Sequence, residues 1–470
     1  MYENLKKALP RKLKVFLINS YEDFFSILLL NIGIFRRLFV VKELKSLNKD
    51  FKKKSSNQLD QFLVIIALRD ADNRFEFLES ESTISTKVIH ISRHLYRYVF
   101  SYLIKKNGYK TDVSLGEIPI EKYYDKKILK YRKKYVSYCK KIAFDIKSLT
   151  KADCFLLPKL NDDWIIDVIK GTKLTYTKVI VHDREYGITK KRMEIYPKHL
   201  IPIYDDIKVD LLCLTNSTHS KFFELCGFPK EILKITGNPI TDRWYKKTNS
   251  LSRKQISPLL SNKKLLIVFF AFGKYNYLNF FYKGEKRNWD ELGHDYHDIL
   301  LDLLIKYGDK IQIVYKLGGK PARDTFEDFE NFTLKLEKRN LRKSLIVLNS
   351  KTSTTDLLKV SDCVIGFQTL GLIEAMFTKQ PIFHGGWGKL YNDIKETLMP
   401  LYSSKGLNYF ESKNSMLNAI SKFIEDENVK TQSEDEKLAR KKDIKKMYHI
   451  ADGQSSKRLI NVIEEYLLDN

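Results

Sequence analysis

Cysteine is scarce in this chain and nowhere paired. Cys139, Cys154, Cys213, Cys226 and Cys363 are odd in number, far apart and form no C-x-x-C. This excludes a disulfide framework and a zinc knuckle, and it fits a reducing cytoplasm. A bilayer span is missing too. The most apolar early stretch, Phe24 to Phe35, is broken by Asn31 and falls short of the roughly 20 residues a crossing needs. Met1 to Lys14 leads into no apolar region with a small-residue cleavage site, so no signal peptide is expected. H-E-x-x-H, P-loop and G-x-S-x-G motifs are all absent, which removes three large enzyme classes. Short internal repeats and low-complexity tracts are absent as well.

Acidic residues are in deficit. Lys plus Arg number 83 against 58 Asp plus Glu, a formal charge of +25. Such a field favours phosphorylated substrates, anionic membrane surfaces or nucleic acid. No RRM-like, helix-turn-helix or finger signature accompanies it, so nucleic acid is not an expected partner. Residues 1–60 carry 13 Lys/Arg against 6 Asp/Glu and contain the apolar run. They read either as a helical hairpin packed on the first domain or as a basic extension lying on an anionic cytoplasmic leaflet.

What is present is an alternation of short apolar runs and helical patterns. Gln61–Leu68, Asp112–Leu115, Cys154–Leu157, Lys178–Val181 and Leu211–Leu214 read as strands, with Ser92–Lys106 helical between the first two. A polar stretch, residues 246–261, reads as a linker. A second series follows it: strands at Leu265–Phe272, Ile311–Lys316, Leu345–Leu348, Cys363–Ile365 and Pro381–His384, with helices at His297–Tyr307 and Leu370–Thr378. Strands alternating with helices predict βαβ units and mainly parallel sheets. The expected fold class is α/β, with two Rossmann-like domains facing a cleft. Residues 61–245 make the first domain and 262–430 the second, with 431–470 forming helices that pack back on the first. In open α/β sheets, ligands bind outside the carboxyl ends of the strands.

Four segments carry candidate chemistry. In Val360–Trp387 a buried strand runs into Gly366-Phe367-Gln368-Thr369 and a helix with Gly371 in its first turn. Its amino end offers backbone N–H groups to a diphosphate, and Glu374 can accept hydrogen bonds from ribose or sugar hydroxyls. The competing reading is an ordinary strand–helix unit with a solvated Glu374. In Val179–Arg192 a strand end delivers His182, Asp183 and Glu185. His182 can act as a general base toward an acceptor hydroxyl, and either carboxylate can do the same or orient it. A salt-bridged loop is the alternative there. In Tyr315–Arg323, Lys316 ends a strand where a point charge reaches donor phosphates. Gly273 and Lys274 form another loop at the same edge. Gly237-Asn238-Pro239 ends a further apolar strand in a turn, since Pro239 cannot continue a ladder. His90 and His94 are four apart on an expected helix, as zinc ligands would be, but no third ligand joins them. Asp70-Ala71-Asp72 spells D-x-D, yet no metal is expected.

The first of these segments resembles the donor-binding core of GT-B glycosyltransferases and of the related sugar-nucleotide 2-epimerases: a polar residue opening the helix, then E-A, then K-x-P-hydrophobic. Thr369, Glu374-Ala375 and Lys379-Gln380-Pro381-Ile382 stand in that order. Gly237-Asn238-Pro239 followed by Asp242 resembles the end of the first domain in these families. The stretch around His182, Glu185 and Gly187 is similar to the H-x-x-E-G loop of bacterial surface-carbohydrate proteins. Asp452-Gly453 with Arg458 resembles their closing helix. One departure matters: glycerophosphotransferase-like relatives read K-x-H-P where this chain has Gly318 and Gly319 after Lys316.

The resemblance implies a glycosyltransferase of capsule, lipopolysaccharide or other surface-glycan assembly, cytoplasmic and peripheral on the membrane. It would use a UDP-, CMP- or CDP-linked sugar without a cofactor, and transfer to a glycan or lipid-linked acceptor. The implied catalytic residues are His182, Asp183 and Glu185. The implied donor-binding residues are Gly273, Lys274, Lys316, Gly366, Gln368, Thr369, Gly371, Glu374 and His384. A 2-epimerase, a CDP-glycerol-type phosphotransferase and an inactive scaffold of the same pathway are the alternatives.

Overall fold

A computed structural model describes residues 22–48, 62–69, 75–83, 85–105, 126–160, 163–183, 189, 193–194, 197, 200–201, 204–246, 251–273, 288–317, 323–349, 352–426 and 433–469. The chain divides into two compact units. The first takes Met1–Glu185, Ile195–Ile240 and Gln454–Asn470, and the second Tyr186–Glu194 and Thr241–Gly453.

The first unit opens with two helices, α1 (Glu22–Asn31) and α2 (Gly33–Leu47), set at 112° to each other. Strands β1 (Leu63–Arg69) and β2 (Thr86–Ser92) follow, then helices α3 (His94–Lys105) and α4 (Lys126–Thr150). Next come β3 (Cys154–Leu157), α5 (Asp163–Lys173), β4 (Lys178–Asp183), β5 (Leu211–Leu214), α6 (Ser217–Leu225) and β6 (Leu233–Ile235). All six strands are parallel, in the order β2-β1-β3-β4-β5-β6. The interior strands are apolar on both faces because helices cover both, as parallel sheets require. The closing helix, Ser455–Asp469, places Leu459, Ile460 and Ile463 against Ile65, Leu156 and Ile180.

Helix α4 shows why its sequence is helical and where it goes. Tyr135, Tyr138, Cys139, Ile142 and Ile146 recur at helical spacing and are buried. The Tyr135 and Tyr138 hydroxyls donate to the carbonyls of Tyr96 and Leu95 at 3.1 and 2.6 Å, tying it to α3. Gly171 of α5 lies so close to α4 that a Cβ would stand 2.8 Å from the Val136 carbonyl oxygen. Only glycine permits that approach.

The second unit contains β7 (Leu265–Phe270), α7 (Asp290–Tyr307), β8 (Ile311–Lys316), α8 (Arg323–Glu337), β9 (Leu345–Leu348) and α9 (Thr354–Val360). After them come β10 (Cys363–Gly366), α10 (Leu370–Ala375), β11 (Ile382–Gly385), β12 (Asn408–Phe410), α11 (Lys413–Glu425) and α12 (Glu434–Tyr448). The last helix, Ser455–Asp469, is α13. The six strands are again parallel, ordered β12-β11-β10-β7-β8-β9.

The α/β class with two parallel sheets is as expected, and several details differ from the expectations. β2 is a strand whose first six residues the sequence reading passed over, and it carries His90, so the helical spacing with His94 does not exist. Among the described residues no cluster of His, Cys, Asp or Glu could hold a metal. β12 adds a strand beyond Pro381–His384. Within residues 246–261, Ser252 caps a turn of helix, Arg253–Ile256, from which Arg253 reaches the Asp362 carboxylate at 2.6 Å and three carbonyls. The tail helices part at Gly453, whose φ is +79°, and α12 belongs to the second unit while α13 belongs to the first. The strand expected at Asp112–Leu115 and the D-x-D at 70–72 lie outside the described residues.

Candidate functional site

Register brings the candidate donor residues of the second unit together. At the carboxyl edge of the sheet, Tyr409, His384, Gly366, Phe270, Lys316 and Leu348 pair successively across β12, β11, β10, β7, β8 and β9. Three residues singled out from the sequence, His384, Gly366 and Lys316, therefore share one row. The loop from β10 into α10 rises directly from it.

Lys316 is nearly buried, and its ammonium donates to the carbonyls of Leu317 and Asn349 at 3.2 and 3.0 Å. Burial pushes its pKa down, and the Glu374 carboxylate opposes that shift from within electrostatic reach. Glu374 is partly exposed on α10. Thr369 is also partly exposed, and its hydroxyl accepts from the Gly371 N–H at 3.3 Å, capping the helix. Gly371 is required by packing: a Cβ there would lie 2.7–2.8 Å from the Phe270 ring. Gly273, three residues past the end of β7, is partly exposed. Lys274 lies outside the described residues.

Two donor-binding expectations change in character. Gln368 is buried with φ at +44°, and its amide is spent on the backbone of Met399: Oε1 accepts from the Met399 N–H at 2.9 Å, and Nε2 donates to its carbonyl at 3.2 Å. Only its backbone remains for a ligand. Helix α10 has six residues, not the longer run to Thr378, so its dipole is weaker than expected.

His384 is fully buried between Phe367 and Tyr409, with ring centroids 5.9 and 5.7 Å away. Its Nδ1 lies 3.2 Å from the Gly366 carbonyl. A carbonyl can only accept, so Nδ1 carries the proton and Nε2 presents a lone pair. That Nε2 is buried and has no hydrogen-bond partner among the described residues. Burial pushes the pKa down to about 4, the bond to Gly366 opposing, so the ring is neutral near pH 7. Tyr296 braces the same place, its hydroxyl lying 3.1 Å from Gly366 O and 2.9 Å from Gly385 O. The sequence reading missed Tyr296, because a tyrosine inside a helix carries no motif.

In the first unit, His182 and Asp183 end β4, as expected, but both are fully buried. His182 Nε2 lies 2.9 Å from the Gly237 carbonyl, which makes Nε2 the protonated nitrogen and clasps the G-N-P turn. Asp183 Oδ2 accepts from the Leu160 N–H at 2.9 Å, and its carbonyl accepts from Thr215 Oγ1 at 3.2 Å. These side chains hold loops of their own unit. Glu185 lies outside the described residues.

No family model matches the sequence, and no curated protein matches it. Solved structures do match. The protein is similar to MnaA of S. aureus, solved with UDP, at 13% identity and a TM-score of 0.52 over 87% of this chain and 97% of that one. It is also similar to a UDP-N-acetylglucosamine 2-epimerase, at 10% identity and a TM-score of 0.51 over 86% and 96%. The fold is GT-B-like. At these identities the likeness concerns fold alone.

Proposed function

We propose that this chain is an enzyme acting on a nucleotide-activated sugar, and that its reaction is glycosyl transfer to a surface-glycan or lipid-linked acceptor. The observation that carries the reading is the grouping of Lys316, Gly366, Thr369 and Glu374 at one carboxyl edge, the place where open α/β sheets take ligands. A MnaA structure of like fold, solved with UDP, supports a uridine nucleotide as the first donor to try. Glu374 would accept hydrogen bonds from ribose or sugar hydroxyls. Lys316 would set positive charge beneath the diphosphate, and the amides after Gly366 would meet its oxygens. The acceptor oxygen attacks the anomeric carbon, the bond from that carbon to the diphosphate oxygen breaks, and the nucleoside diphosphate leaves. The hydroxyl proton passes to a base, for which Glu185 is the proposed residue.

A second reading, 2-epimerisation of the sugar nucleotide, is favoured by the epimerase among the similar structures. Transfer takes precedence because the first unit carries an extra apolar and basic surface suited to a membrane-held acceptor.

Thermal unfolding against UDP, CDP, CMP, GDP and their sugar conjugates tests the site. A ligand at one hundred times its dissociation constant stabilises by about 2.7 kcal/mol. The expected outcome is a selective shift that Glu374→Ala abolishes. No shift with any nucleotide would overturn the proposal. Incubating the bound sugar nucleotide in deuterated water then separates the reactions: deuterium entering beside the anomeric carbon indicates epimerisation, and its absence with transfer to added acceptor indicates the transferase.

A further inference from the structure

The amino-terminal elbow is packed on the first unit and yet apolar on its outside. Phe25 meets Phe35, Phe39 and Tyr98 at ring-centroid distances of 5.4, 4.8 and 6.1 Å, and Leu29, Val40 and Leu44 are fully buried. Arg36 pairs with Asp145 of α4 at 2.7 Å, and Asn48 brackets the backbone of His90 at 2.8 and 2.9 Å. On the other side Phe24, Ile32, Ile34 and Leu38 are exposed by 59, 46, 78 and 63%, with exposed Arg37, Lys42 and Lys45 on the same helix as the last two. Several large apolar side chains on one short elbow exceed the scattered exposure usual for a surface.

Helix α4 supplies a second observation. Lys130, Lys133, Lys134, Lys140, Lys141 and Phe144 are exposed, and their spacing puts them on one helical face. Its sole acidic residue, Asp145, is buried and holds Arg36 of the elbow. A lysine stripe thus leads to the point where the apolar elbow is fastened. No single helix among the described residues is long and apolar enough to cross a membrane, and the two elbow helices are bent too sharply to act as one straight span.

We propose that the α1–α2 elbow and the lysine face of α4 form a monotopic docking surface for an anionic lipid bilayer. Phe24, Ile32, Ile34 and Leu38 enter the interface, and Lys130, Lys133, Lys134, Lys140 and Lys141 lie over acidic headgroups. Charge decides the occupant. A second copy of this chain would set one lysine stripe against a surface of like sign, whereas a leaflet of acidic lipid complements both parts.

Sedimentation of the full chain with sucrose-loaded vesicles tests this. The protein should pellet with phosphatidylglycerol-containing vesicles and not with phosphatidylcholine alone, and release as salt rises from about 0.1 to about 0.5 M. Ile34→Glu with Leu38→Glu should weaken binding by roughly tenfold or more, and so should Lys133→Glu with Lys140→Glu, each with an unchanged melting curve. Equal pelleting of wild type and both double variants would overturn the proposal. So would a dimer that I34E/L38E converts to monomer without any vesicle binding, tighter binding to duplex nucleic acid than to vesicles, or vesicle binding that requires removal of residues 1–21. The nucleotide-binding test does not involve this surface, so failure here leaves nucleotide binding standing and removes only the preference for transfer over epimerisation.

Discussion

Each unit has its own six-stranded parallel sheet, and the two use its carboxyl edge differently. In the first, the residues at the end of β4 turn inward: His182 clasps the Gly237 turn and Asp183 clasps Leu160. In the second, the corresponding edge keeps Gly273, Thr369 and Glu374 partly open above a row containing Lys316 and Gly366. The first unit presents its unusual chemistry on its helices instead, as an apolar elbow and a lysine face. One scaffold therefore carries a candidate ligand edge in one unit and the proposed docking face in the other. The difference lies in side chains placed after the strands, not in the strands themselves.

The largest expected effect probes what holds the first unit. Arg132 and Asp167 form a buried pair at 3.1 Å, each side chain less than 5% exposed. Removing one partner leaves a buried charge uncompensated, which costs about 3–5 kcal/mol. Arg132→Ala should lose that much in urea unfolding, while Arg132→Met with Asp167→Leu should recover most of it. A small loss in the single variant would mean that α4 and α5 are held by their apolar contacts alone.

The second unit should instead show its sensitivity in acid. His384 is neutral when folded, with its pKa down to about 4, and ordinary, near 6.5, when unfolded. Between those values the unfolded chain binds the extra proton, so stability rises with pH there and is fully present above about 6.5. Acidification from pH 7 to 4 should cost up to about 3 kcal/mol from this group. His297, with its pKa down to about 3, adds to the loss in the same unit, whereas His90, down to about 4, acts in the first. His384→Asn should flatten the slope for the transition of the second unit. An unchanged slope would assign the acid sensitivity of the second unit to His297.

A smaller effect is expected at Gly371. A Cβ pressed to within 2.8 Å of the Phe270 ring forces a shift at the middle of the register row, at about 1–3 kcal/mol. Gly371→Ala should lower both the melting temperature and the nucleotide-induced shift, because Phe270 lies between Gly366 and Lys316 in the sheet. Loss of stability with intact nucleotide binding would separate the row from the site.

Much of this was readable in the sequence because strand ends are local. IQIVYK and CVIG end where the sheet ends, so Lys316 and Gly366 could be placed on one edge from hydrophobic runs alone. Side-chain direction was not readable. Whether His182 opens to solvent depends on Gly237, 55 residues away, and no periodicity encodes that contact. Gln368 likewise looked like a ligand residue, but its partner is Met399. The lysine face of α4 went unread because its charge matched the basic excess of the whole chain. It became informative only once the opposite face proved to be buried tyrosine and isoleucine.

The elbow gives the smallest expected change in stability, and that smallness is the point. Ile34 and Leu38 are mostly exposed, so replacing them with glutamate removes little packing, and surface substitutions of this kind usually stay within about 0.5 kcal/mol. If Ile34→Glu with Leu38→Glu leaves the melting curve of the first unit in place, these side chains contribute little to the fold, and their apolar character needs another cause. A destabilisation above about 2 kcal/mol would place them in the packed structure and remove the contrast between the two units. Melting curves of the double variant without lipid decide this.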